Sequence, residues 1–276
     1  MGGHGASRRT NYGHLFVQPL TPPTVHRQLD YTLRMDWGVV GAGAVSEGVD
    51  IAVVIDVLSF TTTLSVAADC NVTVFPYPWR DDTAQTFAGQ RSAVLAVGRS
   101  QAGPGQVSLS PQTVRAAPGL TRLVLPSPNG SSISARLNTD RATVIGVSLR
   151  NRRAAADWLC QQRAALPGIR IAVIAAGERW PDDTLRPAVE DLWGAGALIT
   201  ELVDRGWDGG SPEAHAARAA YAVVADDLHH ALHTCASGRE LSSIDFGGDV
   251  DTAAELDRSR SLPILRGDAF EPHRVL

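Results

Sequence analysis

Asp56 ends the apolar run Ile51-Ala52-Val53-Val54-Ile55 and is followed by Ser59 and the hydroxyl triplet Thr61-Thr62-Thr63. A carboxylate at the carboxyl end of a strand can hold a cation. Hydroxyls and amide N–H groups at the start of the next helix can face an anion. The plainer reading is that Asp56 only caps that helix. The signature D-x-D-x-T of one phosphatase class would need a second Asp at Leu58 and is absent. Pro126-Ser127-Pro128-Asn129-Gly130-Ser131-Ser132 sits in the same kind of loop. Asn-Gly permits positive φ, and the amides after it can cradle an anion, although an ordinary turn with a Ser cap would look similar. Gly177-Glu178-Arg179 precedes a third carboxylate pair, Glu190-Asp191, at a helix start. Such a pair invites a divalent cation or simply complements the helix dipole.

Other residues are less telling. The acidic run Asp245, Asp249, Asp251, Glu255 and Asp257 reads mainly as a solvated face, with room for one Asp to enter a site. His229 and His233 are spaced i, i+4, but position 230 is His where H-E-x-x-H requires Glu, so they read as a solvated helix face. The glycines of Gly98-Arg99-Ser100-Gln101-Ala102-Gly103-Pro104-Gly105 are wrongly spaced for a dinucleotide fingerprint.

The elements that must position these residues follow from hydrophobic patterning. Strands are predicted over 31–37, 50–55, 72–75, 93–97, 120–125, 142–147, 169–175 and 262–265. The run 50–55 has the composition of a strand buried on both faces. Pro76 and Pro78 are read as stopping the strand at 72–75. Helices are predicted over 61–69, 81–88, from the Ser131 region to 137, and over 151–165, 189–204 and 213–237. The segment 98–118 reads as loop, and 238–257 as short helical turns. Strand–helix alternation with short connections predicts a three-layer α/β/α sandwich around a parallel or mixed sheet. Residues 31–276 then form a single α/β domain, or two similar α/β halves, behind a disordered extension at 1–30. In such sheets the site lies beyond the carboxyl ends of the strands, here the loops after Ile55, Leu125, Val147 and Ala175.

Composition narrows the chemistry. All 25 basic residues among the 276 are Arg; there is no Lys. That excludes a P-loop NTPase, a Schiff-base enzyme and the kinase signature. Any anion must be held by Arg, amides, hydroxyls or a bound cation. A formal charge of -4 argues against a nucleic-acid partner. The apolar runs fall short of the ~20 residues that span a membrane, so no membrane partner is expected. Cys70, Cys160 and Cys235 lack any C-x-x-C pairing and read as reduced, mostly buried thiols of a cytoplasmic protein. A homo-oligomer is compatible with the sequence.

In order, the motifs resemble the 2-phosphosulfolactate phosphatase family over roughly 37–265. The matching pieces are Ile55–Thr63, Gly98-Arg99, Leu109-Ser110-Pro111, Pro128-Asn129-Gly130-Ser131, Ser148-Leu149-Arg150-Asn151, Ala175-Ala176-Gly177, Glu190–Gly196, and Asp257 with Leu262-Pro263. The resemblance implies Mg²⁺-dependent hydrolysis of a small anionic phosphate ester, 2-phosphosulfolactate to sulfolactate and phosphate, on an α/β/α sandwich. It also implies that Asp56, Glu190 and Asp191 are the metal or acid–base groups, Asp56 and Glu190 being catalytic. Ser127, Asn129, Gly130 and Ser131, with Thr61 and Thr62, would hold the phosphate. Three positions depart from the family pattern. Ser59-Phe60 stands for Arg-Ala, Arg99 for Glu, and Leu109 for Asn. The lost and gained Arg are compatible with one relocated guanidinium, which keeps Ser59 and Arg99 among the substrate-binding candidates. The alternative to an enzyme is a non-catalytic anion- or metabolite-binding protein on the same scaffold.

Overall fold

The computed structural model describes residues 23–78, 83–138 and 142–275. The first 22 residues of the expected extension, and Asp81 and Asp82 of the expected helix 81–88, lie outside them. Within 23–30, Thr24–Arg27 form a 3-10 turn. Gln28 exchanges two hydrogen bonds with the backbone of Met35: its amide donates to the carbonyl at 2.8 Å and its Oε1 accepts from the N–H at 3.1 Å. This stretch, read from sequence as part of a disordered extension, is thereby tied to the first strand.

The chain runs β1 (Leu33–Trp37), α1 (Gly38–Val45), β2 (Ile51–Ile55), α2 (Phe60–Asp69), β3 (Thr73–Tyr77), α3 (Thr83–Gln90), β4 (Val94–Leu95). It continues α4 (Pro111–Arg115), β5 (Arg122–Pro126), α5 (Gly130–Leu137), β6 (Thr143–Val147), α6 (Arg152–Ala165), β7 (Ile171–Ala175). The two-residue strands β8 (Glu178–Arg179) and β9 (Leu185–Arg186) form a separate ribbon. Then come α7 (Val189–Asp204), α8 (Pro212–Ala222), α9 (Leu228–Thr234), α10 (Ala236–Ser243), α11 (Gly247–Ala253), β10 (Ser261–Arg266) and β11 (Ala269–Arg274).

Among the described residues nine strands make one mixed sheet in the order β1-β7-β2-β6-β10-β11-β3-β5-β4. β2 pairs in parallel with β6 and β7 along its whole length. Ile51, Val53 and Ile55 enter one core with α6, α7 and α8, while Ala52 and Val54 enter another with α1, α2 and α5. Burial on both faces is why this strand reads as an unbroken apolar run. Helices thus cover both faces, as expected for an α/β/α sandwich. The contacts β6–β10, β10–β11 and β11–β3 are all antiparallel, so β3, β5 and β4 run opposite to β1, β7, β2 and β6. α5 nonetheless packs against both β2 and β3, which carries its N-terminus to the end of β2.

Four local expectations are corrected. Pro76 lies inside β3 rather than ending it. The N–H of Thr73 and the carbonyl of Tyr77 bond toward β5, so Pro76 points its missing N–H toward β11, which pairs with β3 only at Val74. The segment 98–118 contains α4 and a 3-10 turn at Arg99–Gln101. The helix expected over 213–237 is broken into α8, α9 and the start of α10, because Asp227 and Cys235 leave helical geometry and cap the next helix through their side chains. Of the cysteines, Cys70 is exposed and Cys160 half-buried; only Cys235 is buried.

Candidate active site

Asp56 sits one residue past β2 and is 7% exposed. Its Oδ1 accepts the Phe60 N–H and its Oδ2 the Gly130 N–H, both at 3.0 Å. One carboxylate therefore receives amides from the starts of α2 and α5, where both helix dipoles favour negative charge. Gly130 can come this close because it has no side chain. A Cβ there would lie 2.2 Å from Phe60 Cδ1 and 2.8 Å from Asp56 Oδ2.

Asp191, in the first turn of α7, binds the loops from the other side. Its Oδ1 accepts the Val57 N–H at 2.7 Å and its Oδ2 the Gly177 N–H at 2.8 Å. Gly177 has φ +68, and an added Cβ would lie 2.7 Å from Leu185 Cδ1. Asp191 thus clamps the loops after β2 and β7 together. Asn129, ending the loop after β5, donates from Nδ2 to Glu178 Oε2 at 2.9 Å. Arg179 donates to Asn129 Oδ1 and to the Pro128 carbonyl, at 3.4 and 3.2 Å.

Arg99 enters from the 3-10 turn. It donates to Asp249 Oδ2 at 3.0 Å and to the Ser59 hydroxyl. Asp249 also accepts from the Ser110 hydroxyl. Asp249 is thus the one member of the late acidic run that turns inward. Leu109 points its side chain into the core, and its carbonyl accepts the Thr63 hydroxyl at 2.7 Å.

The expected phosphate hydroxyls are otherwise engaged. Thr61 donates to the Asp56 carbonyl and Thr62 to the Val57 carbonyl, both at 2.8 Å; Ser131 donates to the Leu125 carbonyl at 3.0 Å. These side chains close the loops behind Asp56 and Asn129. Ser127 is buried beside them, its N–H donating to the Tyr77 carbonyl. Asp257 lies elsewhere, paired with Arg152.

Four carboxylates, Asp56, Glu178, Glu190 and Asp191, gather with little compensating charge. Asp56 is pushed up to about 7, first by burial and then by the charge of Glu178, against the pull of its two amide donors and Arg99. Asp191 stands well above the ordinary carboxylate range, through burial and then the charges of Asp56 and Glu190. Glu178 is raised by burial first and by Glu190. Glu190 is 2% exposed and neighbours Cys235, whose thiol burial pushes up to about 12. That thiol is no nucleophile at neutral pH.

Glu178 also lines a cleft of about 680 Å³ together with Arg99, Arg179, Arg186, Ser237 and Gln101. Three guanidiniums around one cleft suit an anion with several charged groups. Arg186 donates to Ser237 at 3.2 Å. Sequence reasoning gave no role to Arg179 or Arg186, because a ribbon of two-residue strands has no periodicity to read.

The donor set fits a hard cation such as Mg²⁺: oxygen ligands only, mutually repelling, at the edge of an anion-accepting cleft. Among the described residues no three of these carboxylates bring one oxygen each within 4.8 Å of one another. Mg²⁺ keeps several waters and commonly uses one or two carboxylates, so a closed cage is not required. Each oxygen of Asp56 and of Asp191 accepts one backbone amide and keeps a second lone pair, so both stand beside Glu178 and Glu190 as possible ligands.

A family model described as 2-phosphosulpholactate phosphatase matches residues 43–268, from the end of α1 to the turn after β10. A protein of Synechococcus sp. (strain WH7803), named a probable 2-phosphosulfolactate phosphatase, is 28% identical over 230 residues, 79% of this chain and 87% of that protein. The match contains the loops that carry Asp56, Arg99, Asn129, Glu178 and Asp191. The chain belongs to the 2-phosphosulfolactate phosphatase family and is a phosphoric monoester hydrolase.

Proposed function

We propose that this enzyme hydrolyses 2-phosphosulfolactate to sulfolactate and phosphate with Mg²⁺, in the cleft beside Asp56. The observation that carries the reading is a buried carboxylate cluster joined, through Glu178, to a cleft that Arg99, Arg179 and Arg186 line. The substrate has a phosphate, a carboxylate and a sulfonate, and Arg99, Arg179 and Arg186 supply three forks for them. Ser59, hydrogen-bonded to Arg99, sets the direction of that guanidinium.

Asp56 of the metal-free protein binds its proton more tightly than an ordinary carboxylate, first through burial. It is suited to take a proton from an attacking water, or to give one to the departing sulfolactate oxygen. The charge of Glu178 keeps that proton affinity high. The amides of Phe60 and Gly130 hold the Asp56 carboxylate in one orientation, and Asp191 fixes the two loops that shape the site. Mg²⁺ bound among Asp56, Glu178, Glu190 and Asp191 would offset charge on the phosphoryl oxygens. We place the enzyme in the cytoplasm, consistent with three unpaired cysteines. Among the described residues no helix is long and apolar enough to cross a membrane.

The test is phosphate release from 2-phosphosulfolactate, from phospholactate and from p-nitrophenyl phosphate, each with Mg²⁺ or EDTA. A preference of roughly tenfold or more for 2-phosphosulfolactate is expected, with loss of activity in EDTA. Equal rates on all three esters refute the substrate. Full activity in EDTA refutes the metal. Thermal stabilisation by 2-phosphosulfolactate without turnover leaves the non-catalytic binder.

A further inference from the structure

A second cluster of chemistry-bearing side chains lies away from the cleft, where α9 meets α11. His229 and His233 are one turn apart on α9, their ring centroids 4.6 Å from each other. Both point Nε2 at the same oxygen of Asp251 on α11, at 2.9 and 2.8 Å. One ligand atom from each lies within 4.8 Å of the other two. The i, i+4 spacing that read as a solvated helix face therefore meets a carboxylate 18 residues further on, brought there by the turn through α10.

We propose that His229, His233 and Asp251 form a binding site for a borderline divalent transition ion, such as Zn²⁺, Co²⁺ or Ni²⁺. Two imidazoles and a carboxylate are the donors these ions prefer, whereas Mg²⁺ prefers oxygen alone. Ligand atoms around a tetrahedral ion with bonds of about 2.1 Å stand about 3.4 Å apart. The two observed separations reach that value by moves of about half an ångström, within the rotamer freedom of side chains that are 64%, 28% and 59% exposed. The exposed side leaves coordination positions open to water. The ion would replace two hydrogen bonds with a three-ligand link between α9 and α11. α11 also carries Asp249, which holds Arg99 at the cleft. The link would thus steady the helix behind one of the substrate arginines.

The experiment is a Co²⁺ titration of the untagged full chain in excess Mg²⁺, which occupies hard oxygen sites. Visible d–d absorption is followed, with thermal unfolding in Zn²⁺ as a second readout. One equivalent of Co²⁺ is expected, with an affinity reduced roughly tenfold or more by His233→Ala and by the milder Asp251→Asn, and unchanged by the neighbouring His230→Ala. Zn²⁺ should raise Tm in the wild type and in His230→Ala only. Absence of a Co²⁺ band in excess Mg²⁺, or a band of unchanged strength in both ligand variants, overturns the site.

Discussion

Gly130→Ala places a methyl group where the site has no room. The new Cβ would lie 2.2 Å from Phe60 Cδ1, whereas carbon contacts are comfortable at about 3.5–4.0 Å. Phe60 is fully buried and packed edge-on against Phe270, so it has no free direction to yield. The start of α5 must then retreat from α2 by about 1 Å, which stretches the 3.0 Å bond from the Gly130 N–H to Asp56 Oδ2 beyond hydrogen-bond range. Overpacking costs about 1–3 kcal/mol. Losing a hydrogen bond to a charged acceptor costs about 1.5–3 kcal/mol. Displacement of Asp56 and Asn129 by that distance should lower kcat/KM about 100-fold, read by phosphate release, and lower Tm by several degrees. Gly89→Ala is the control: it lies in α3 with nothing within 4 Å of an added Cβ, and should leave both quantities unchanged or raise Tm slightly. Gly130→Ala with kcat/KM within threefold of wild type would refute the reasoning that this amide positions Asp56.

Two further predictions concern charge. Asp56 has a folded pKa of about 7 against an ordinary 3.8, so between those values the folded state binds more protons than the unfolded state. Stability of the metal-free protein should therefore fall as pH rises from about 4 to 7; the Asp56 shift, coupled to its carboxylate neighbours, corresponds to a loss on the order of 4 kcal/mol. Glu178 and Asp191 act in the same direction. Urea unfolding from pH 5 to 8 checks this, and stability that rises across that window contradicts it. Separately, Arg186→Ala removes one cleft guanidinium whose only hydrogen bond among the described residues is to Ser237. KM should rise roughly tenfold with Tm nearly unchanged, since a charged hydrogen bond to substrate is worth about 1.5–3 kcal/mol; an unchanged KM places the substrate elsewhere.

The legible parts of this protein are those where one physical constraint dominates. Ile51–Ile55 is buried on both faces, so its pattern marks an interior strand and puts Asp56 at its end. Asn129-Gly130 was legible as a tight approach of backbone to an anion, but that anion includes the protein's own Asp56. The hydroxyls of Thr61, Thr62 and Ser131 donate back to loop carbonyls, a direction that sequence does not carry. Asp191 stands among the carboxylates, and its oxygens, like those of Asp56, also accept two loop amides that sequence does not reveal. The Ala-rich stretch 213–237 favours helix throughout, and only the capping geometry at Asp227 and Cys235 divides it. Arg99 and Asp249 pair across 150 residues, a contact that local patterning does not carry. Glu178 was visible as a carboxylate beside Gly177, but its bond to Asn129 depends on a ribbon too short to read.

The most direct measurement is kcat for 2-phosphosulfolactate hydrolysis by wild type and Asp56→Asn, with Mg²⁺, on protein shown by circular dichroism to be folded. Asn keeps the shape and one acceptor oxygen but cannot hold and release the proton. A fall in kcat of at least about 100-fold is expected. A folded Asp56→Asn enzyme that turns over within threefold of wild type would contradict it.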